Sequence, residues 1–123
     1  MPGALEEQGP IAGEVRTRLV NHLRSHAGRG IVIQAAAHSP QSAKVATALQ
    51  SVFRDAGWSV GRIEMITRDL PTDTLTLSTG SYPPSKAFVA AYGGLARAGF
   101  LVTSDLAPNQ AKHGVALSVG PMR

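Results

Sequence analysis

Apolar residues fall every fourth position near the start of the chain: Ile11, Val15, Leu19 and Leu23. With Ala12, Val20 and Ala27 they form one stripe over residues 11–27, the spacing of a helix that buries a single side. Gly28 and Gly30 end it, with Arg29 between them. "IVIQA" follows, short and β-branched after those glycines, and reads as a buried strand. Ser39 can cap the next helix, with Pro40 at its first position, where no amide hydrogen is needed. Val45, Ala46, Leu49, Val52, Phe53 and Ala56 keep helical spacing until Gly57. From Trp58 to about Met65 a second strand is predicted, with no clear choice of buried side.

The second half repeats this alternation. Residues 67–73 form a polar connector, and "TLTLSTG" sets Leu75, Leu77 and Thr79 against Thr74, Thr76 and Ser78 with the period of a strand. Pro83 and Pro84 mark a helix start, Phe88, Ala91, Tyr92, Leu95 and Ala96 give its apolar side, and Gly99 ends it. Gly93 and Gly94 lie inside that helix at a cost of about 2 kcal/mol in propensity. They call for the close approach of another backbone or for a bend. "FLVTS" is a fourth strand, residues 105–114 a loop, and "VALSVG" a fifth strand.

These signals define an α/β fold: a single domain over residues 11–121, of two or three layers, after a flexible leader of residues 1–10. About five strands are expected in a mixed sheet built from two β-α-β-like units, preceded by the amphipathic helix. "LQSVFRDAGWSV" and "AYGGLARAGFLV" align on Ala-Gly-aromatic, which suggests an internal repeat. In each unit the aromatic after glycine, Trp58 or Phe100, is expected beside the helix end. The last strand is expected antiparallel at an edge, and open edges make a homodimer reasonable.

Composition narrows the chemistry. The 123 residues include no cysteine, so disulfides, thiolate metal sites and cysteine catalysis are out. The net charge of +4 gives modest support to anionic partners. No apolar run reaches the ~20 residues of a membrane helix, and "MPGALEEQGP" is no signal peptide.

Strand ends that feed helix N-termini are where open α/β sheets bind ligands. His38, Ser39, Gln41 and Lys44 stand at the first such turn, Ser81, Tyr82 and Lys86 at the second. If both turns open on one rim they form a pocket for a small anion such as a phosphate or nucleotide. The plainer reading is that Ser39 only caps its helix, since the glycines of a phosphate loop are missing. Arg16, Arg18, Arg24 and Arg29 form a candidate basic face for nucleic acid, joined by Arg62, Arg68 and Arg97 if they converge, but no recognised DNA- or RNA-binding motif accompanies them. His22 and His26 have metal-ligand spacing without a third ligand, and Ser39 or Ser81 with Asp105 and His113 lack the nucleophile elbow of a hydrolase. Ser118 inside the last strand reads as a packing or hydrogen-bonding residue. No metal, cofactor or catalytic residue is assigned.

"FRDAGWSV", "LTLSTGSYPPSKAFVAAYGGLARAGF" and "HGVALSVGP" together resemble the soluble domain of an uncharacterised family of small bacterial proteins with two predicted transmembrane helices. The likeness spans residues 11–121 and rests on structural punctuation. It implies a sensory, binding or assembly role on the cytoplasmic side of a membrane, with any tether outside this chain. It brings no catalytic residues. The expected function is thus a non-enzymatic regulatory or interaction domain sensing a small anionic ligand at the strand-to-helix turns. The alternatives are a small enzyme acting on a phosphorylated or nucleotide substrate, and nucleic-acid binding through the Arg-rich first helix.

Overall fold

The computed structural model describes residues 13–67, 70–80, 85–106 and 115–121. The leader, Ser81, Tyr82, Pro83, Pro84 and His113 lie outside the described residues. The elements are α1 (Gly13–Arg24), β1 (Gly30–Ala36), α2 (Pro40–Asp55), β2 (Ser59–Val60), β3 (Glu64–Ile66), β4 (Leu75–Thr79), α3 (Lys86–Arg97), β5 (Val102–Leu106) and β6 (Val115–Val119).

The helix boundaries follow local chemistry. The Ser39 hydroxyl accepts from the Ser42 amide, and Pro40 opens α2 as its pattern predicts. Ser85 caps α3 by accepting from the Phe88 amide. The two Ala-Gly-aromatic sequences are matching Schellman caps. Gly57 donates to the Arg54 carbonyl and Trp58 to that of Phe53, while Gly99 donates to Ala96 and Phe100 to Leu95. Both glycines need the left-handed region, at φ +88° and +98°. The aromatic that follows then folds back on its helix: Trp58 meets Phe53 edge to face, ring centroids 4.9 Å apart. Trp58 is fully in the core, whereas Phe100 packs against it only partly buried.

The two β-α-β units each hold parallel strands. β1 runs parallel to β2 and β3, and β4 runs parallel to β5. The stretch read as one second strand is broken. Ser59–Val60 pairs with the start of β1 and Glu64–Ile66 with its end, while residues 61–63 leave the ladder. β5 is also displaced from its expected place and includes Asp105 and Leu106, which had been assigned to a loop.

The larger correction concerns β6. It is not an edge but the central strand, parallel to β1 and antiparallel to β4, in the order β2-β1-β6-β4-β5 with β3 also on β1. Every residue of β6 is buried, so it has no solvated side. Its alternation is apolar against small, Val115, Leu117 and Val119 against Ala116 and Ser118, which suits a strand flanked on both edges.

Three helices share one core. Leu19, Val20 and Leu23 of α1 join Leu49 and Phe53 of α2 and Phe88 and Leu95 of α3. They meet Ile31, Ile33, Leu75, Leu77, Val115, Leu117 and Val119, which the strand registers place on one face. In α3 the expected apolar residues Phe88, Ala91 and Leu95 are buried, but Tyr92 is half-buried and Ala96 exposed. On the other face runs a polar row. Ser118 donates to the Gln34 side-chain oxygen at 2.9 Å, and the Gln34 amide group donates to Glu64 at 3.1 Å. Thr76 sits opposite Ser118, and its hydroxyl is 3.3 Å from that of Thr103. Beside this row the Ser78 hydroxyl is buried with no partner among the described residues.

Candidate anion-binding groove

The two strand-to-helix turns do not share a rim. Ala35 at the end of β1 stands opposite Val119, and Thr79 at the end of β4 stands opposite Val115. Since these are the two ends of β6, the turns open on opposite edges of the sheet. Ser81 and Tyr82 lie outside the described residues; of the others, His38, Ser39, Gln41 and Lys44 stand at one end of the sheet and Lys86 at the other, so these five do not share a pocket. The two β-α-β units run antiparallel to each other, and that alone separates their corners.

The first turn is occupied by its own bonds. Ser39 caps Ser42, and the Ser42 hydroxyl donates to the Val119 carbonyl at 2.7 Å while accepting from the Ala36 amide at 2.9 Å. The Ala37 amide goes to Ile66, and Pro40 has no hydrogen to offer. His38, Gln41 and Lys44 are exposed around this closed corner. Ser42, not Ser39, is the residue that ties helix to sheet.

The four arginines do not make one face. Arg16 turns toward α2, where it pairs with Asp55 and donates to Ser51 at 3.1 Å. Arg24 bonds to Asn21 on its own helix, and Arg29 stands beyond the helix, in the segment between α1 and β1. Arg18 points to the opposite side of α1, toward α3.

That side holds a recess. Between α1 and α3 lies a groove of about 300 Å³, floored by Leu19, Gly94 and Ala98 and walled by Val15, Arg18, His22 and Arg97. It continues past His22 and Arg97 to His26 and Lys86. The two helices run antiparallel here, with Val15 near Ala98 and His26 near Lys86. Gly94 explains the close approach. A Cβ there would lie 2.9 Å from His22 Cδ2 and 3.1 Å from Leu19 Cδ1. No other backbone approaches the glycine pair: Gly94 meets side chains of α1, a Cβ at Gly93 would meet nothing within 4 Å, and α3 is one helix from Lys86 to Arg97.

His22 fixes the floor. Its Nε2–H donates to the Ala90 carbonyl at 3.1 Å, which commits the nitrogen that a metal would otherwise use. Among the described residues no three His, Cys, Asp or Glu side chains gather as a metal site. Arg18 has one ion pair, a 3.4 Å contact to Glu14 in which both side chains are over four-fifths exposed. Contacts of that kind are worth little and leave the guanidinium available. Arg97 and Lys86 have no hydrogen-bond or ion-pair partner among the described residues. Among the described residues no acidic side chain lines either part of the groove. Of these residues only Lys86 was assigned to a ligand site from sequence. The signal that pointed here was Gly93-Gly94 together with exposed apolar Val15 and Val89.

Fold and groove define a class: a helix-faced α/β domain with a cationic cleft between two helices. No family model, curated protein or solved structure matches the chain. No helix among the described residues is long and apolar enough to cross a membrane.

Proposed function

We propose that the chain is a non-enzymatic binding domain that takes a small anionic ligand, carrying a phosphate or similar group, in the groove between α1 and α3. One observation carries this reading: Arg18 and Arg97 line one part of a groove floored by small and apolar residues, Arg97 and Lys86 line its continuation, and the one acid paired with them among the described residues is Glu14, through an exposed contact to Arg18. Clefts lined by one sign of charge over low-dielectric walls concentrate counter-ions. A guanidinium pair offers the planar, multi-donor geometry that oxyanions accept. The groove replaces the strand-to-helix turns as the site, and keeps Lys86 from them. A regulatory or interaction role, with a membrane tether outside this chain, is the setting that such a binding domain would serve.

The test is a thermal-shift and calorimetry series with inorganic phosphate, nucleoside mono- to triphosphates and chloride as a control. Binding at a hundredfold excess over Kd stabilises by about 2.7 kcal/mol. Phosphate compounds should raise the melting temperature, Arg97→Ala with Lys86→Ala should abolish the rise, and Lys44→Ala should leave it intact. A rise that survives loss of Arg97 and Lys86 rejects the groove, and no rise with any anion rejects the function.

A further inference from the structure

Among the described residues β5 pairs with β4 alone. The Leu75 amide donates to the Leu101 carbonyl at 2.9 Å, and Leu75 stands opposite Val102 in a parallel ladder. That arrangement turns the backbone groups of Thr103 and Asp105 toward β4 and those of Val102, Ser104 and Leu106 outward. The Tyr92 hydroxyl, 3.2 Å from the Val102 carbonyl, reaches an oxygen that β4 does not use. An edge of this kind is a template for another strand unless it is blunted. Here the blunting devices are few. The strand has one charge, Asp105, and no proline, and residues 103–106 are exposed. Leu106 is 47% exposed and the adjacent Leu101 65%.

We propose that β5 pairs antiparallel with β5 of a second copy of this chain, about a twofold axis through Ser104. A twofold axis perpendicular to the sheet keeps each face on its own side, so only residues of equal parity can stand opposite one another. Centring on any residue of β5 satisfies this, and centring on Val102 or Leu106 overlaps little more than the strand ends. Centring on Asp105 opposes two carboxylates. Centring on Thr103 sets Leu101 against Asp105. Centring on Ser104 pairs the whole strand: Val102 lies against Leu106 of the other copy, and Thr103 against its Asp105. Ser104 and its copy then exchange both backbone bonds, while at the Val102–Leu106 pairs the Val102 carbonyl is shared with the Tyr92 hydroxyl. The Asp105 carboxylate has no partner among the described residues, and the Thr103 hydroxyl, 3.3 Å from that of Thr76, donates to it across the axis. The partner is a copy of the same chain because the strand's own sequence supplies each complement. A strand edge alone buries less than the roughly 1,200 Å² of a standard interface, so the dimer dissociates on dilution.

Sedimentation equilibrium of the full chain over a concentration series should show monomer and dimer. Ser104→Pro removes the outward amide at the axis without touching a bond to β4, a placement that open edges tolerate. It should leave a monomer with unchanged circular dichroism. If that variant loses its fold, two others decide. Thr103→Asp opposes Asp105 across the axis and should weaken association by at least about tenfold, while Thr103→Lys should strengthen it. A wild-type chain that stays monomeric throughout overturns the proposal. So does a dimer indifferent to Ser104→Pro, or to both Thr103 variants.

Discussion

The indole nitrogen of Trp58 donates to the carbonyl oxygen of Leu23 across 2.9 Å. The bond is buried and joins the residue after Gly57 to the last turn of α1, where the Leu23 carbonyl also accepts from the His26 amide. It holds the leading helix onto the rest of the core. Trp58→Phe keeps much of the ring contact with Phe53 but removes one of the two bonds to the Leu23 carbonyl, the His26 amide remaining. It should destabilise the domain by about 1–2 kcal/mol. Urea unfolding followed by circular dichroism measures this, since Trp58 is the only tryptophan.

Two neighbouring glycines should respond in opposite directions. Alanine improves helix propensity at either by about 0.8–1 kcal/mol. At Gly93 the added methyl meets nothing within 4 Å, so Gly93→Ala should stabilise. At Gly94 it drives into His22, whose ring is held by the Ala90 carbonyl. Gly94→Ala should therefore destabilise by about 1 kcal/mol or more. Paired denaturation curves with equal slopes would confirm the split, and a stabilising Gly94→Ala would contradict the packing of α1 on α3.

Ser42 and Ser39 sit three residues apart and should not be equivalent. Ser39→Ala loses a helix cap, about 1 kcal/mol. Ser42→Ala strands the Ala36 amide and the Val119 carbonyl inside the core, and should cost roughly 2 kcal/mol or more. Thermal unfolding of the two single variants ranks them.

The Arg16–Asp55 pair links α1 to α2 at the surface, with the two side chains 33% and 54% exposed. A double-mutant cycle with Arg16→Ala and Asp55→Ala should give a coupling of about 1 kcal/mol or less that shrinks with added salt. The same Arg16→Ala variant should bind phosphate compounds like wild type, because Arg16 faces away from the groove. Loss of binding there would return the arginines to a single face.

Much of the local structure was legible in the chain itself. The Ser39–Pro40 start of α2, the glycine exits at Gly57 and Gly99 and the alternation of Leu75 and Leu77 all act within one or two turns of chain, so neighbouring residues are enough to specify them. The candidate site was legible only in fragments. Lys86 and the two glycines were visible, yet nothing nearby in sequence says that Arg97 lines one groove with Arg18 and His22, or that Lys86 stands in its continuation.

From its sequence alone, this protein settles its α/β class, its two strand–helix–strand units, the leading amphipathic helix and the caps that bound them. The tertiary structure decided that the last strand enters between the units, and thereby that their corners point to opposite rims. The reason is physical: strand order rests on pairings such as Ser118 with Gln34, which are 84 residues apart. Periodicity reports which side of a strand is buried, but not which strand lies beside it or in which direction. The same holds for the groove, which exists only because Gly94 lets α1 settle onto α3.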